Sequence, residues 1–400
     1  MRTLAALALL LLPGGTGGPV KTGIEILARD GFKPIQGARV GLVTNHSAID
    51  SAGTSIVDLM AAGKGFTLSA LFCPEHGLRG TADAPVAGGK DEKTGLPVHS
   101  LYGKTRKPTA GMLQDVDALV FDIQDIGARF YTYISTLALV MEAAKEHGKR
   151  VVVLDRPNPI GGVAVEGPIL EEGLRGSFTG YFPLPTRHGM TVGELALLFN
   201  REFGIGCAVE VVRMEGWKRS MYFDETALPW VNPSPNMRSL EAAISYPGLG
   251  ALEATNLSVG RGTPRPFLWY GAPWADEKRL CEELNGRKLA GVRFKPVTFT
   301  PAPQPGMPRY PHTGRECRGF EVELTDRAAY RPLAAVLHVL DALHRLHPKE
   351  SGFSKACGMI GLRSIEEDIR SGKSPAEIER SWQPALDRFR ERRKAFLLYE

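Results

Sequence analysis

Four short apolar runs in the first 160 residues constrain the fold most, because each stops at a cluster of polar side chains. The runs are Ala38–Val43, Leu68–Phe72, Val116–Phe121 and Arg150–Leu154. Buried parallel strands have this near-continuous apolar pattern. Stretches with helical spacing alternate with the runs, at 54–60 and 132–147. The alternation predicts a parallel sheet with right-handed crossovers, whose ligand crevice lies beyond the carboxyl ends of the strands.

The chain is too long for one ordinary core, since it has 400 residues. A helix that begins with the capping-box pattern Thr191–Glu194 completes the alternating part. From about Gly206 the pattern changes, and residues 229–275 form a long irregular stretch that is rich in proline and glycine. We therefore predict an N-terminal domain over 19–205 and a C-terminal domain over 206–400.

The first 18 residues have the features of a Sec-type signal peptide. Arg2 is followed by the apolar run Ala5–Leu12, then by Pro13 and several glycines. We therefore expect an exported protein, either periplasmic or secreted, with no membrane span after the signal peptide is removed. The net charge of +5 is modest and scattered, so we expect no nucleic-acid partner. The five dispersed cysteines argue against a disulfide framework.

Several reactive motifs are missing from the sequence. There is no Gly-x-Gly-x-x-Gly after the first strand, no Walker A pattern, no Gly-x-Ser-x-Gly and no His-Glu-x-x-His. These absences disfavour a nucleotide-binding enzyme, an α/β-hydrolase and a zinc protease. We expect neither a cofactor nor a metal.

Carboxylates are the remaining candidates for chemistry. Glu75, Asp122, Asp125 and Glu166 all lie just beyond predicted strands. Glycoside hydrolysis is the commonest reaction that needs two carboxyl groups in unlike environments. A structural role is the alternative for Asp122 or Asp125, as a helix cap or as a partner of Arg129.

Three arginines near glycine turns are candidates for binding an anion, because a guanidinium matches a carboxylate in a bidentate way. They are Arg79, Arg129 and Arg261. Tyr131, Tyr133 and Trp269 are candidate aromatic platforms, with burial in the core as the alternative.

At these motifs the chain resembles the exo-β-N-acetylmuramidases of the NamZ type, also called the DUF1343 family. The similarity covers nearly everything after the signal peptide. The matching segments are 43–46 (VTNH), 74–80 (PEHGLRG), 94–98 (TGLPV), 121–133 (FDIQDIGARFYTY), 155–159 (DRPNP), 187–191 (RHGMT), 233–237 (PSPNM) and 255–263 (TNLSVGRGT). Ala254 and Leu268 depart from the family pattern, where we expect glycine and an acidic residue, which puts fine substrate preference in question.

The resemblance implies an α/β protein with a Rossmann-like parallel-sheet N-terminal domain, a smaller C-terminal α+β domain and an active-site cleft between them. It implies release of β-1,4-linked N-acetylmuramic acid from the non-reducing end of peptidoglycan fragments, with Glu75 as the active-site glutamate. We assign Glu75 as general acid and Asp125 as the second carboxylate, with Asp122 and Glu166 as rivals. The sugar's own acetamido oxygen is a further alternative for that second role. The predicted substrate-binding residues are Asn45, His46, His76, Arg79, Arg129, Tyr131, Glu166, His188, Asn236, Asn256 and Arg261.

Two other functions fit a two-domain α/β chain with a signal peptide. One is a periplasmic receptor that binds a muramyl sugar without turnover and closes by a hinge motion. The other is an oxidoreductase that lacks the usual glycines. The sequence predicts no oligomeric state.

Overall fold

The computed structural model describes residues 18–79, 88–304 and 310–400. The predicted signal peptide lies outside the described residues, apart from Gly18. In the described part of the chain no helix is long and apolar enough to cross a membrane. The five cysteines are buried and unpaired.

Twelve strands and ten α-helices make up the described structure. The strands are β1 (Arg39–Thr44), β2 (Thr67–Cys73), β3 (Gly89–Lys90), β4 (Pro97–Ser100), β5 (Ala118–Asp122), β6 (Arg150–Leu154), β7 (Glu166–Ile169), β8 (Pro185–Arg187), β9 (Ala208–Val212), β10 (Trp269–Ala272), β11 (Val292–Phe299) and β12 (Cys317–Leu324). The helices are α1 (Gly23–Arg29), α2 (Ile56–Ala62), α3 (Tyr133–Glu146), α4 (Val192–Glu202), α5 (Leu240–Leu249), α6 (Glu277–Gly286), α7 (Pro332–Leu346), α8 (Ser354–Ile360), α9 (Ile365–Arg370) and α10 (Pro375–Arg393). Short 3-10 helices cover Lys33–Ile35, Gly111–Leu113, Glu172–Leu174, Phe223–Glu225, Gly250–Ala254 and Lys394–Phe396.

The N-terminal region is built on a seven-stranded sheet in the order β3-β4-β2-β1-β5-β6-β9. All neighbouring pairs are parallel except β3 with β4. The four predicted apolar runs form β1, β2, β5 and β6, which confirms the parallel sheet. Thr44 pairs with Asp122 in register, so the polar clusters that follow these strands lie at one edge of the sheet.

Helices cover both faces of this sheet, and the strand side chains alternate between the two sides. Leu119 and Phe121 of β5 pack in the larger core with α3 and α4, whereas Val120 packs in the smaller core with α1 and α2. The predicted capping box of α4 is present: Glu194 N–H donates to Thr191 Oγ1 at 3.3 Å, and Thr191 N–H donates to Glu194 Oε2 at 3.0 Å. Burial on both faces explains why these strands are apolar throughout.

The C-terminal region contains a small antiparallel sheet in the order β10-β12-β11. Helices α5, α6 and α7 pack together, and α6 lies against the sheet. The fold is thus mixed α/β, with a mostly parallel sheet in the N-terminal region and a C-terminal domain with a small antiparallel sheet. β9 pairs with β6 in the large sheet, so that sheet includes residues beyond our boundary at 205/206.

One local expectation differs from the structure. The stretch 229–275 is not irregular throughout, since it contains α5, the 3-10 helix Gly250–Ala254 and β10. Helix α10 runs through Pro384, although proline usually interrupts a helix. Pro384 is exposed, so water can solvate the carbonyl that loses its hydrogen bond there.

Candidate active site

Glu75 follows β2 in a tight turn at the edge of the sheet where the parallel strands end. His76 and Gly77 both have left-handed backbone, with φ of 73° and 74°. A histidine in this region costs free energy, and such strain clusters at functional sites. Gly77 N–H donates to Pro74 O at 3.1 Å and closes the turn. The turn leaves Glu75 partly exposed instead of directing it into the core.

The Glu75 carboxylate is fixed by a residue from another strand end. Thr132, directly before α3, donates its hydroxyl to Glu75 Oε2 at 2.6 Å. This segment continues from β5, two positions from β2 in the sheet order. The hydrogen bond therefore orients Glu75 through a neighbouring loop.

Glu75 lines a cavity of about 120 Å³ between the N-terminal and C-terminal regions. The N-terminal wall also contains His76, residues 130–133 and Thr179. The opposite wall consists of Ser234, Tyr246, Glu253, Arg261, Phe267 and Met359. Among the described residues that line the cavity, the carboxylates are thus Glu75 and Glu253, one on each side.

The opposite wall carries a supported ion pair. Arg261 Nη2 lies 2.8 Å from Glu253 Oε1. The Arg261 guanidinium carbon lies 5.2 Å from the Phe267 ring centroid and 5.6 Å from that of Tyr310, within range of cation–π attraction. Phe267 has left-handed backbone as well, with φ of 61°. The two ring contacts hold the guanidinium beside the cavity.

An aromatic cluster forms most of the remaining surface. Tyr131 meets Tyr133 and Tyr246 edge-on at centroid distances of 5.0 and 5.8 Å, and Tyr246 meets Phe267 at 4.8 Å. Burial raises the pKa of Tyr131, Tyr133 and Tyr246 well above the usual value. These tyrosines therefore remain protonated near neutral pH. Small-molecule sites commonly combine aromatic walls with a few fixed polar groups.

The other predicted carboxylates do not line this cavity. Asp122 is fully buried in a bidentate pair with Arg156, with Nη2–Oδ2 at 3.0 Å. Glu166 lies 2.6 Å from Arg187 Nη1. Each is therefore already bound to an arginine of the N-terminal region, which corrects our expectation that they gather around Glu75.

Asp125, our preferred partner for Glu75, is 5% exposed and does not line the cavity. Both Asp125 and Glu75 raise the pKa of Tyr131, so this tyrosine neighbours both. Asp125 Oδ2 accepts the Gly127 N–H at 2.7 Å, and burial raises the Asp125 pKa to about 7. The structure thus does not bring Asp125 to the cavity.

Of the predicted binding residues, His76, Tyr131 and Arg261 line the cavity, as does Tyr133. Trp269, the third aromatic candidate, lies on β10, with its ring 5.7 Å from that of Phe299. Arg79 is paired with Asp91 at 2.8 Å, beside a neighbouring groove that His76 also lines.

The remaining predicted residues do not line the cavity, and two of them donate hydrogen bonds to tyrosine hydroxyls. Asn45 Nδ2 donates to the Tyr133 hydroxyl at 3.1 Å, and Asn236 Nδ2 donates to that of Tyr310 at 3.5 Å. His46 Nε2 lies 2.8 Å from Asn232 O, and Asn256 Nδ2 donates to Glu350 O at 2.6 Å. His188 is fully buried, which lowers its pKa to about 3.

Arg129, a predicted anion ligand, binds carbonyl groups instead. Its Nη1 donates to Thr179 O at 3.0 Å, and its Nη2 donates to Met359 O at 2.5 Å and to Ile360 O at 3.0 Å. Burial lowers the Arg129 pKa to about 9. Thr179 and Met359 both line the cavity, so Arg129 fixes part of its wall without facing it.

Sequence reasoning missed Glu253 as a site residue. Glu253 belongs to the 3-10 helix Gly250–Ala254, inside the stretch that we read as irregular. No strand precedes it, so the strand-end pattern that identified Glu75 could not find it. Its nearest signal was the polar segment that it begins, at 253–256.

Comparison with known proteins identifies the family. A model of the N-terminal part of the exo-β-N-acetylmuramidase NamZ matches residues 40–241, and a model of its C-terminal part matches residues 244–399. The chain belongs to the NamZ exo-β-N-acetylmuramidase family. It is 46% identical over 385 residues to the peptidoglycan β-N-acetylmuramidase NamZ of Bacillus subtilis, covering 95% of this chain and 91% of the relative.

Two solved structures of DUF1343 family proteins from Bacteroides fragilis share the fold. One has a TM-score of 0.88 and 37% identity, and the other a TM-score of 0.78 and 31% identity. Both alignments cover 96% of this chain and 99% of the other. The predicted family is confirmed. The comparisons therefore identify an exo-β-N-acetylmuramidase, which is a glycoside hydrolase, and favour this function over a receptor or an oxidoreductase.

Proposed function

We propose that the protein releases β-1,4-linked N-acetylmuramic acid from the non-reducing end of peptidoglycan fragments, with Glu75 as the general acid. The supporting observation is that Glu75, oriented by Thr132, faces a cavity that also holds Arg261 and an aromatic wall. In this proposal the cavity belongs to a cleft between a Rossmann-like N-terminal domain and a smaller α+β domain. The similarity to the B. subtilis peptidoglycan β-N-acetylmuramidase supports the substrate class.

Glu75 donates a proton to the glycosidic oxygen as the bond from that oxygen to C1 breaks. A positioned acid of this kind contributes about 10²–10⁴-fold to the rate. The Thr132 hydroxyl donates a hydrogen bond to Oε2 of Glu75. In this proposal the other oxygen, Oε1, carries the proton toward the substrate. Glu75 is suited to the role because its turn exposes it to the cavity, whereas Asp122 and Glu166 do not line the cavity.

Arg261 is suited to recognise the lactyl carboxylate that distinguishes N-acetylmuramic acid from N-acetylglucosamine. Its guanidinium has two ring contacts that fix its plane, and a guanidinium binds carboxylates in a bidentate way. The two matching family models, which describe an exo-β-N-acetylmuramidase, support exo action. Thr179 and Met359, fixed by Arg129, are part of its wall.

The test compares Glu75→Gln with wild type on a chromogenic β-N-acetylmuramide. We expect kcat to fall at least about 100-fold on a substrate with a poor leaving group. The loss should be smaller on a dinitrophenyl substrate, whose leaving group needs little protonation. Glu282→Gln, an exposed residue of α6, is the matched control and should keep full activity. Near-normal turnover by Glu75→Gln would refute the assignment.

Exo action has its own test on intact glycan strands. We expect wild type to release free N-acetylmuramic acid from the first time points while the mean strand length stays almost unchanged. A rapid drop in strand length without monosaccharide release would contradict exo cleavage.

Export is a further part of the proposal. It is supported by the basic residue, the apolar run and the glycine-rich exit within residues 1–18. Cell fractionation and N-terminal sequencing of the mature protein test it. We expect cleavage near residue 18 and no full-length chain in the cytoplasm.

A further inference from the structure

We propose that Glu253 is the catalytic nucleophile that acts opposite Glu75, so that the enzyme retains the anomeric configuration. This inference rests on the proposed function, because it concerns the second carboxylate of the same site.

The first support is position. Glu75 follows β2 of the large sheet, whereas Glu253 lies on the 3-10 helix Gly250–Ala254 after α5. Both line one small cavity, from its N-terminal and its C-terminal wall. Tyr246 lies close to both, since the charges of Glu253 and Glu75 each raise its pKa. Most glycosidases use two carboxyl groups that flank the scissile bond.

The second support is that none of the rival carboxylates lines the cavity. Asp122 is fully buried against Arg156, and Glu166 lies against Arg187. Asp125 is buried and accepts a backbone N–H. Glu253 is different because its side chain keeps 36% of its surface exposed and reaches the cavity.

The third support is the unlike surroundings of the two glutamates. Arg261 places a positive charge 2.8 Å from Glu253, and the rings of Phe267 and Tyr310 hold that charge in place. Glu75 instead accepts a hydrogen bond from the neutral hydroxyl of Thr132. The ion pair fixes Glu253 and the hydrogen bond fixes Glu75 on opposite walls of the cavity, and a reaction with two catalytic groups depends on such positioning.

The reaction then has two balanced steps. In the first, a Glu253 oxygen forms a bond to C1, the bond from C1 to the leaving oxygen breaks, and that oxygen takes the Glu75 proton. In the second, Glu75 takes a proton from water, the water oxygen bonds to C1 and the ester to Glu253 breaks. One water is consumed, and two inversions at C1 give net retention.

The first measurement uses the wild-type enzyme, so it does not depend on the folding of a variant. The anomer released from a β-muramide is followed by proton NMR before mutarotation. We expect the β anomer to form first. Initial formation of the α anomer would overturn the proposal, because it requires direct attack by water.

The second measurement is chemical rescue of Glu253→Ala with azide on a dinitrophenyl β-N-acetylmuramide. We expect a rate loss of about 10³-fold or more without azide, since removing a nucleophile disables the whole reaction. Azide should restore turnover at least several-fold and give the α-glycosyl azide. Glu75→Ala should instead give the β-azide. In this variant the covalent intermediate with Glu253 still forms, and azide attacks its C1 from the face opposite Glu253.

Three results would overturn the assignment of Glu253. The first is undiminished turnover by Glu253→Ala, and the second is formation of the β-azide by this variant. The third is the absence of any azide product from a Glu253→Ala variant whose thermal transition matches that of wild type. A β-azide would point to attack by the sugar's own acetamide. Glu253→Gln, which keeps the side-chain volume, replaces Glu253→Ala if the latter does not fold. Failure of the proposed function is distinguishable, because wild type would then release no sugar from any muramide.

Discussion

The carboxylates at the carboxyl edge of the large sheet fall into two groups with opposite surroundings. Asp122 ends β5, Asp125 follows β5 and Asp155 follows β6, and each is at most 5% exposed. Asp155 accepts hydrogen bonds from the Thr191 and Tyr399 hydroxyls and from Gly193 N–H. Glu75 follows β2 at the same edge, yet it lines a cavity and has Thr132 as its partner.

The difference comes from what covers each strand end. At the ends of β5 and β6, polar groups of the N-terminal region and the end of the chain bind both oxygens of Asp122 and Asp155 and one oxygen of Asp125. Beyond β2, the C-terminal domain leaves a cavity and contributes Glu253 from its far side. A strand-end position therefore makes a carboxylate a candidate, and the opposing wall decides its role. The following predictions test this contrast.

The largest expected effect is on stability, at Asp122. Asp122→Ala leaves the Arg156 guanidinium buried without its partner, which typically costs about 3–5 kcal/mol. Glu75→Gln should change the free energy of unfolding by less than about 0.5 kcal/mol, because Glu75 is partly exposed. Denaturant unfolding of both variants measures the difference. Equal stabilities would remove the structural contrast between the two acids.

Asp125 should make stability depend on pH. Burial raises its folded-state pKa from 3.8 to about 7, so between these values the folded state holds a proton that the unfolded state has lost. Its contribution therefore favours folding at low pH and is lost as the pH rises through this window. At about 1.4 kcal/mol per pH unit, the total is roughly 4 kcal/mol.

Asp125→Asn keeps the acceptor for Gly127 N–H but cannot titrate. We expect this variant to gain stability relative to wild type from pH 4 to pH 7, measured by denaturant unfolding at several pH values. Asp155, whose pKa burial raises to about 6, titrates in both proteins and cancels from the difference. Parallel stability curves would show that Asp125 does not titrate in this range.

Arg261→Met tests recognition of the lactyl carboxylate. We expect the preference for a muramide over the matching glucosaminide to fall by about 2 kcal/mol, or roughly 30-fold, the scale of a hydrogen bond to a charged group. The ratio of kcat/KM values for the two substrates isolates this effect from any general loss of rate. Arg261→Lys should recover only part of the preference. An unchanged ratio would assign recognition to another residue.

The smallest expected effect concerns the orientation of Glu75. Thr132→Val removes the hydroxyl that donates to Oε2, which should cost about 1 kcal/mol, or roughly 5-fold in kcat. Thr132→Ser keeps a hydroxyl and should restore most of the rate. If both variants match wild type, the turn alone positions Glu75.

The sequence alone predicted the large sheet and pointed to Glu75, one of the two glutamates that line the cavity. Runs such as 150–154 are apolar because both faces of the sheet are covered, and the same runs point to the edge where Glu75 lies. The sequence could not separate Glu75 from Asp122 and Asp125, because their hydrogen-bond partners come from distant segments. The sequence did not indicate Glu253 as a site residue, because a short 3-10 helix lacks the apolar periodicity that identifies α-helices and strands.

The hydrogen bonds of Arg129 have a consequence for how substrates are admitted. One cation joins the segment before α3 to Thr179 and to the last turn of α8. Separating these parts would leave a buried guanidinium without its acceptors, which is costly. We therefore expect the cavity to keep a nearly constant width at Thr179 and Met359. A rigid wall would then exclude sugars of the wrong shape, and selection would need no closing movement.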